Sequence, residues 1–246
     1  MSTATSWTVT LVDVAFETVT GLRVGGERSG ASTTDMPLLR WPDGRPYIPG
    51  SSLKGVLRSG AERILRSLGV TPAVCDVLVA PCGGRLQKDV DPVPLEQLCW
   101  VCRTFGSPHA AGRLFVGELC PEGPVDTVVR DGVGIDRNEL RAADNIKYDF
   151  EVVPPGARFS GRLRLDDGSD ADVGLLCLLL DLIDAGLVGV GGGTTRGLGR
   201  MRYAAPPAVS RFDAAAFVAA SPHPTAVDLD AARAAARTVL EEGRTP

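Results

Sequence analysis

Alternating apolar and polar residues predict a half-buried strand near the start of the chain, over Trp7 to Phe16. A segment rich in Gly, Ser and Thr follows from Thr20 to Arg40 and is typical of a long loop. Helical spacing then begins, with Ser51 or Ser52 as the expected N-cap and Gly69 as the stop. The apolar residues that set this spacing are Leu53, Val56, Leu57, Ala61, Ile64, Leu65 and Leu68.

The second half of the chain predicts another helix, which is strongly apolar and runs from Asp172 to Leu187. The polar stretch from Gly132 to Tyr148 is interpreted as a projecting loop or hairpin. A glycine-rich loop is expected at 189–199. The remaining strands are expected over Arg113–Leu119, in two runs of Phe150–Leu165 around the turn Pro154-Pro155-Gly156, and over residues 200–203.

The order strand, helix, strands, helix, strand indicates an α+β domain of ferredoxin-like type with insertions. We expect one domain whose core covers about 7–70 and 113–203, with a cysteine-rich insertion at about 71–112. The Pro- and Ala-rich tail at 204–246 is expected to contain two weak helices, Arg211–Ala220 and Asp228–Glu242.

The net charge changes this picture little until its distribution is considered. The 246 residues carry a net charge of −4, which argues mildly against a nucleic-acid partner. Between Met36 and Val70, however, the sequence contains six basic residues and only two acidic ones. One acidic segment can thus give the whole chain a negative net charge even if another surface is basic and binds a partner. An uneven scatter of charges over a neutral surface is the alternative. The acidic segment holds Asp166, Asp167, Asp170, Asp172, Asp181 and Asp184, and without them the chain carries +2.

The hydropathy of the chain predicts no membrane span, because no run of about 18 apolar residues occurs. The start of the sequence, MSTATSWTVT, lacks the basic residues and apolar core of a signal peptide. A cytoplasmic protein is therefore expected.

Four cysteines in the irregular segment have the spacing of metal ligands. They are Cys75, Cys82, Cys99 and Cys102, in the pattern C-x6-C-x16-C-x2-C. A Cys-x-x-Cys pair can place two thiolates on one tetrahedral ion, so a structural zinc site is expected in a reducing compartment. Four unrelated cysteines are the alternative, and His109 is a possible substitute for Cys75 or Cys82. Cys120 and Cys177 lie in apolar runs and are expected in the core.

Two segments have the composition of phosphate-binding sites. The helix that begins near Ser51 and Ser52 offers free backbone N–H groups, with Lys54 and Arg58 on one face. An ordinary capped surface helix is the alternative. The glycine-rich loop allows close approach of a phosphate to its backbone, through Gly191, Gly192, Gly193, Thr194, Thr195 and Arg196.

Asp35 lies in the Gly/Ser/Thr-rich loop just before Met36 and Pro37, without a nearby lysine in the sequence. Such a carboxylate is a candidate general base or metal ligand, or a surface residue that turns the chain before proline.

Together, these segments resemble the RAMP superfamily of CRISPR proteins, and more narrowly a Csm-like backbone subunit of type III interference complexes. The resemblance covers roughly residues 7–203 and rests on the order of several short motifs. They are Tyr47-Ile48-Pro49-Gly50-Ser51-Ser52-Leu53-Lys54-Gly55, Cys99-x-x-Cys102-Arg103-x-Phe105-Gly106-Ser107, Gly134-Ile135-Asp136-Arg137, Val153-Pro154-Pro155-Gly156-x-x-Phe159 and the 189–199 loop.

The resemblance implies an RRM-like core whose copies stack along a guide RNA with other subunits of the complex. The helix start at Ser51, Ser52, Lys54 and Arg58 and the loop at 191–196 would line that guide. The segment at about 130–150 would be a thumb-like hairpin that wedges into the guide–target duplex, and the cysteines would belong to a zinc-bearing insertion.

The resemblance also implies cleavage of a complementary target RNA. Asp35 matches the position of the catalytic Asp, which acts with Mg²⁺ or Mn²⁺ when a target 2′-hydroxyl attacks the adjacent phosphate. A purely structural guide-binding subunit is the first alternative. A guide-processing nuclease would rely on a catalytic His, for which only His109 and His223 exist. A zinc-stabilised small-molecule enzyme is the remaining alternative.

Overall fold

A computed structural model of the chain describes residues 7–26, 34–70, 74–84, 93–138, 141–218 and 223–243. Parts of four predicted segments lie outside these residues, namely 27–33 of the long loop, 71–73 and 85–92 of the cysteine-rich insertion, 139–140 of the hairpin, and 219–222 and 244–246 of the tail. The strands are β1 (Thr8–Thr18), β2 (Leu114–Val116), β3 (Cys120–Pro121), β4 (Val128–Asp136), β5 (Arg141–Val152), β6 (Arg158–Asp166), β7 (Met201–Asp213) and β8 (Thr225–Ala226). The helices are α1 (Gly50–Ser67), α2 (Trp100–Phe105), α3 (Asp170–Asp184), α4 (Ala214–Val218) and α5 (Leu229–Glu242).

The main sheet is antiparallel and has the strand order β2-β6-β1-β7-β8, with β3 also paired to β6. β1 is central, and its Val12 lies opposite Leu163 of β6 and Val209 of β7. Every second residue of β1 is buried, because one face of the sheet covers the hydrophobic core. The α+β class is therefore confirmed, with antiparallel sheets.

Two helices fill the core against that face. α1 buries Leu53, Leu57 and Leu65, as its apolar spacing predicted. α3 is buried on nearly all sides because α5 covers the side that α1 and the sheet leave open. The contact is so close at Gly174 that a Cβ there would lie 1.9 Å from the carbonyl oxygen of Ala232.

The projecting hairpin is confirmed as a separate two-stranded sheet made of β4 and β5. Its base is attached to the core at Val153, which exchanges two backbone hydrogen bonds with Leu22. Met36 also forms a bridge to Phe150 and accepts a hydrogen bond from the Glu151 N–H. The segment around 34–38 is thereby positioned along β5.

The start of α1 differs from the prediction. Pro49 is the N-cap and makes no side-chain hydrogen bond, so the assignment of Ser51 or Ser52 as N-cap is wrong. The N-cap therefore lies two residues before Ser51, and Gly50 packs on the end of β2, where a Cβ would lie 2.0 Å from the Val116 carbonyl oxygen. The expected stop is confirmed, since Gly69 follows the last turn with a φ of +65°.

Three further predictions are corrected. β7 continues to Asp213, so the residues after 203 begin as a strand rather than as a tail. Pro206 and Pro207 fit there because the pairing with β1 shifts between Asp13 and Ala15, which leaves both prolines out of the register. The cysteine-rich segment, expected to be irregular, contains α2. Cys120 is exposed rather than buried, whereas Cys177 is in the core as expected.

The described residues contain no helix that is both long enough and apolar enough to cross a membrane.

Candidate nucleic-acid interface

A groove of about 1250 Å³ lies between α1 and the glycine-rich loop. We call it the glycine-loop groove. Ser52, Ser59 and Arg63 of α1 form one wall, and Thr20 and Arg200 lie beside the loop. Five of the residues proposed from sequence to contact the guide line it, namely Ser52, Gly191, Gly192, Thr194 and Thr195.

Backbone contacts fix the loop against the segment after β1. The Gly192 N–H donates to the Arg23 carbonyl oxygen at 2.7 Å, and the Gly199 N–H donates to the Gly21 carbonyl oxygen at 2.8 Å. Glycine is required at 191, because its φ is +83° and a Cβ would lie 2.4 Å from that Arg23 oxygen. The bare backbone of the loop therefore faces the groove.

The chemistry of the groove suits a sugar-phosphate chain. Its described lining contains the guanidinium groups of Arg63 and Arg200, several hydroxyls and no carboxylate. Hydroxyl, backbone N–H and guanidinium groups are the usual donors to phosphate oxygens. Arg63 and Arg200 were missed in the sequence analysis.

The two cations proposed at the helix start point away from the groove. Lys54 Nζ donates to the Leu114 carbonyl oxygen at 2.8 Å, and burial lowers the pKa of its ammonium group. Arg58 bonds to Glu62 at 2.9 Å and to the Gly106 carbonyl oxygen at 2.9 Å. Ser51 is exposed at the helix start but does not line the groove.

A second, smaller cavity of about 300 Å³ lies between the hairpin and the same loop. We call it the hairpin cleft. Its walls include two residues of the sequence-predicted set, Gly193 and Arg196, which the structure separates from the groove. The other residues that give the cleft its chemistry are Arg23, Met36, Arg130, Tyr148 and Phe150.

Asp35 is exposed at the base of the hairpin, next to the Met36 that lines the cleft. Its N–H donates to Asp149 Oδ1 at 2.5 Å, and the Asp149 N–H donates to Asp35 Oδ2 at 3.2 Å. Within the described ranges, Asp35 belongs to no group of three or more metal-binding side chains. A catalytic divalent cation at Asp35 therefore stays a prediction.

The four cysteines do converge. The sulfur atoms of Cys75, Cys82, Cys99 and Cys102 all lie within 4.8 Å of one another. The sulfurs of Cys75 and Cys102 are 3.3 Å apart, and those of Cys75 and Cys99 are 3.9 Å apart. Zn–S bonds of about 2.3 Å place the sulfurs of a tetrahedral site about 3.8 Å apart, so the cluster fits zinc. The four thiols supply all the ligands that a tetrahedral zinc ion needs.

Electrostatics in the cluster favour a thiolate at Cys99. A hydrogen bond from the Cys102 thiol holds the pKa of Cys99 well below its ordinary value, and the same bond raises the pKa of Cys102. Arg58 Nη2 lies 4.0 Å from Cys102 Sγ, so it places positive charge beside the sulfurs. His109 is not in the cluster, and its Nε2 lies 2.6 Å from the Gly84 carbonyl oxygen.

The insertion is tied to the core next to these thiols. Trp100 is fully buried, and its Nε1 donates to Asp172 Oδ1 at 2.6 Å. Arg113 donates to the same oxygen at 3.1 Å. Because Trp100 lies between Cys99 and Cys102 in sequence, the cysteine cluster is held against the first turn of α3.

The acidic segment ends at the edge of the groove, where Asp184 lies two residues before Gly186 of the lining. None of its six carboxylates lines the glycine-loop groove or the hairpin cleft. In the described structure, two of these carboxylates form ion pairs with arginines of the same chain: Asp170 with Arg211, and Asp181 with Arg233. The described linings of both cavities are therefore free of the six carboxylates that give the chain its negative net charge.

Comparison with known families identifies the class of protein. A family profile of the RAMP superfamily matches residues 15–202, which include the sheet, α1, α3 and the glycine-rich loop. The chain belongs to the RAMP superfamily. No curated protein sequence matches it. The superfamily includes CRISPR-associated proteins, and its members generally bind RNA and form multi-subunit complexes, which supports a general CRISPR-related role in RNA binding.

Proposed function

We propose that this chain is a guide-RNA-binding backbone subunit of a type III CRISPR interference complex, of Csm-like kind, that also cleaves complementary target RNA. The observation that carries the binding role is the glycine-loop groove, in which Arg63 and Arg200 face bare loop backbone without a carboxylate among the described lining residues. Further copies of the chain and other subunits would extend this groove along the guide.

The sheet order supports a ferredoxin-like or RRM-like core. β7, β1, β6 and β2 lie side by side, and α1 and α3 follow β1 and β6 along the chain. This is the order expected when two β-α-β halves interleave in one antiparallel sheet. The β4–β5 hairpin then takes the place of the thumb-like segment.

Zinc would hold the insertion through Cys75, Cys82, Cys99 and Cys102, whose sulfur spacing fits a tetrahedral ion. Such a site is structural, because four protein ligands leave no open position for chemistry.

Cleavage would take place beside Asp35. The 2′-oxygen of a target nucleotide would attack its own 3′-phosphate, and the 5′-oxygen of the next nucleotide would leave with a proton. Asp35 would accept the 2′-hydroxyl proton or contact a Mg²⁺ or Mn²⁺ ion that offsets the negative charge developing on the phosphate. The exposure of Asp35 at the base of the hairpin supports this role.

A non-catalytic guide-binding subunit is the second candidate. One observation favours it: Asp35 forms two hydrogen bonds with Asp149, and neither residue joins a metal-binding group in the described part of the chain. In that case Asp35 would only connect the loop to the hairpin.

The test is cleavage of a complementary RNA by the assembled complex in Mg²⁺ or Mn²⁺, compared between the wild type, Asp35→Ala and Asp43→Ala. Asp43 is an exposed carboxylate in the same segment that pairs with Arg45, and it serves as the matched control. The proposal expects cleavage to be lost only in Asp35→Ala. Equal cleavage by all three proteins would remove Asp35 from the mechanism, and tight guide binding without cleavage would favour the second candidate.

A further inference from the structure

A mostly buried carboxylate at the base of the hairpin connects three separate parts of the chain. It belongs to Glu151, near the end of β5, and its side chain is 12% exposed. We propose that Glu151 is a positioning residue for target cleavage, because it fixes residues 35–40 at one place beside the hairpin. We call these residues the Asp35 segment. This inference rests on the proposed cleavage by Asp35 and adds to it the residue that holds the reacting carboxylate in place.

The backbone of the Asp35 segment forms hydrogen bonds on two sides. On the side away from the hairpin, the Leu39 N–H donates to the Val24 carbonyl oxygen at 2.9 Å. On the hairpin side, the N–H of the buried Leu38 donates to Glu151 Oε2 at 3.0 Å. A side-chain carboxylate therefore satisfies a buried backbone donor that a neighbouring strand would otherwise have to satisfy.

The other oxygen of the Glu151 carboxylate binds two further side chains. The Thr127 hydroxyl donates to Glu151 Oε1 at 2.6 Å, and the guanidinium group of Arg40 forms an ion pair with the same oxygen. Arg40 also donates to the Thr127 hydroxyl oxygen at 2.8 Å. Thr127 lies just before β4, and Arg40 is the last residue of the Asp35 segment. One carboxylate thus connects both strands of the hairpin base to that segment.

The partners of Glu151 keep its carboxylate ionised. Burial raises the pKa of Glu151, but the hydrogen bonds from the Leu38 N–H, the Thr127 hydroxyl and Arg40 lower it further, so that the pKa lies below its ordinary value. Hydrogen bonds to an ionised acceptor are stronger than those between neutral groups. Loss of the carboxylate would also remove the acceptor of the buried Leu38 N–H, which is costly.

These contacts also decide the kind of role that Glu151 has. Both of its carboxylate oxygens are bonded within the protein, to Leu38 on one side and to Thr127 and Arg40 on the other. A carboxylate in this state is not available to take a proton from a bound nucleotide. Glu151 therefore acts on the reaction only through the Asp35 segment.

The position of Asp35 depends on contacts of two kinds. Its own hydrogen bonds with Asp149 are exposed, and water competes for exposed hydrogen bonds. The bonds that Glu151 forms are partly buried, and Leu38 lies only three residues after Asp35. The contacts of Glu151 therefore add to those of Asp149 and fix how the Asp35 segment lies along β5. Because a displacement of about 1 Å can cost about 100-fold in rate, a residue outside the reacting groups can control cleavage.

The test measures target cleavage and RNA affinity separately, in assembled complexes that contain the wild type, Glu151→Ala, Glu151→Gln or Glu122→Ala. Glu122 is an exposed carboxylate just after β3 and serves as the matched control. In Glu151→Ala, we expect the rate constant at saturating target to fall about 10- to 100-fold, with guide and target affinities within about twofold of the wild type. Glu151→Gln keeps an acceptor for the Leu38 N–H and should cleave faster than Glu151→Ala. Amide hydrogen exchange at Leu38 should rise in Glu151→Ala, and Glu122→Ala should match the wild type throughout.

A milder variant keeps the test decisive if Glu151→Ala does not fold or assemble. Thr127→Val removes one donor to Glu151 with little change in shape, and we expect cleavage about 3- to 10-fold slower with unchanged affinities. A wild-type rate in Glu151→Ala, or in Thr127→Val where Glu151→Ala does not assemble, would overturn this inference while cleavage by Asp35 stands. A loss that weaker target binding explains in full would overturn it as well. If the wild-type complex does not cleave, or if Asp35→Ala cleaves normally, the proposed cleavage fails and this inference fails with it.

Discussion

Asp35 and Asp149 hold each other through two hydrogen bonds in which each backbone N–H donates to the other residue's carboxylate. The two residues are far apart in sequence, and their contact, together with the Met36–Phe150 bridge, places Asp35 at the base of the hairpin. We therefore expect Asp149 to position Asp35 rather than to take part in the chemistry proposed for it.

Asp149→Ala removes the acceptor for the Asp35 N–H. We expect target cleavage by the complex to fall by about 10- to 100-fold, because small displacements of a reacting group cost that much. Guide binding should change less than twofold, since Asp149 lies outside the glycine-loop groove. Asp149→Asn keeps an acceptor oxygen and should retain most of the activity. Equal losses in the Ala and Asn variants would show that the hydrogen bond is not what matters.

The glycine-loop groove predicts which arginine of α1 contacts RNA. Arg63→Gln should weaken guide binding and reduce the slope of log K against log salt by about 1, as expected when one phosphate contact is lost. Arg45→Gln is the matched control, because Arg45 pairs with Asp43 and lines neither cavity. Binding titrations at several salt concentrations measure both quantities. An unchanged slope in Arg63→Gln would place the guide elsewhere.

We predict that Arg58 stabilises the proposed zinc site and does not contact RNA. Its guanidinium group lies 4.0 Å from Cys102 Sγ, where it offsets the negative charge of a zinc–thiolate group. Arg58→Gln should weaken zinc binding about 10- to 100-fold in a chelator competition, the usual effect of removing such a neighbour. Guide affinity measured with zinc in excess should stay within about twofold of the wild type. Loss of RNA binding with normal zinc affinity would reverse this assignment.

The close contact between α3 and α5 predicts opposite effects for two Gly→Ala changes. Gly174→Ala places a Cβ 1.9 Å from the Ala232 carbonyl oxygen, so we expect the protein to be destabilised by about 1–3 kcal/mol. Gly55→Ala, on the exposed side of α1 with no atom within 4 Å of the added Cβ, should stabilise it by about 0.5–1 kcal/mol. Urea unfolding measures both, and hydrogen exchange over 229–242 should rise only in Gly174→Ala. Similar stability of the two variants would contradict the contact.

The helical repeat explains why part of the interface could be predicted from sequence. Ser52 and Arg63 lie eleven positions apart, close to three full turns, so they share one face of α1. Lys54 is two positions from Ser52 and therefore points to the opposite side. Ser59 and Arg63 follow Ser52 at helical spacing, so their shared face can be predicted from sequence. Lys54 and Arg58, four positions apart, share the face that bonds to the Leu114 and Gly106 carbonyl oxygens instead.

Other features depend on contacts between distant parts of the chain and could not be predicted from sequence. Arg23, Arg130 and Tyr148 come from three separate segments, and only the fold brings them to one cleft. The length of β7 could not be predicted, because Pro206 and Pro207 argue against a strand until the shift in pairing with β1 is known. The cysteine cluster was accessible from sequence because four thiols with ligand spacing have few other arrangements.

The short segment after β1 that contains Leu22 and Arg23 forms backbone hydrogen bonds both to the base of the hairpin and to the glycine-rich loop. Leu22 exchanges backbone hydrogen bonds with Val153 at the base of the hairpin, and the Arg23 carbonyl oxygen accepts from Gly192 of the glycine-rich loop. A tilt of the hairpin must either break the bonds at Leu22 or drag a wall of the groove along with it. Leu22 and Arg23 thus connect the base of the hairpin to the glycine-rich loop, so we expect a displacement of the hairpin to change the surface proposed to contact the guide.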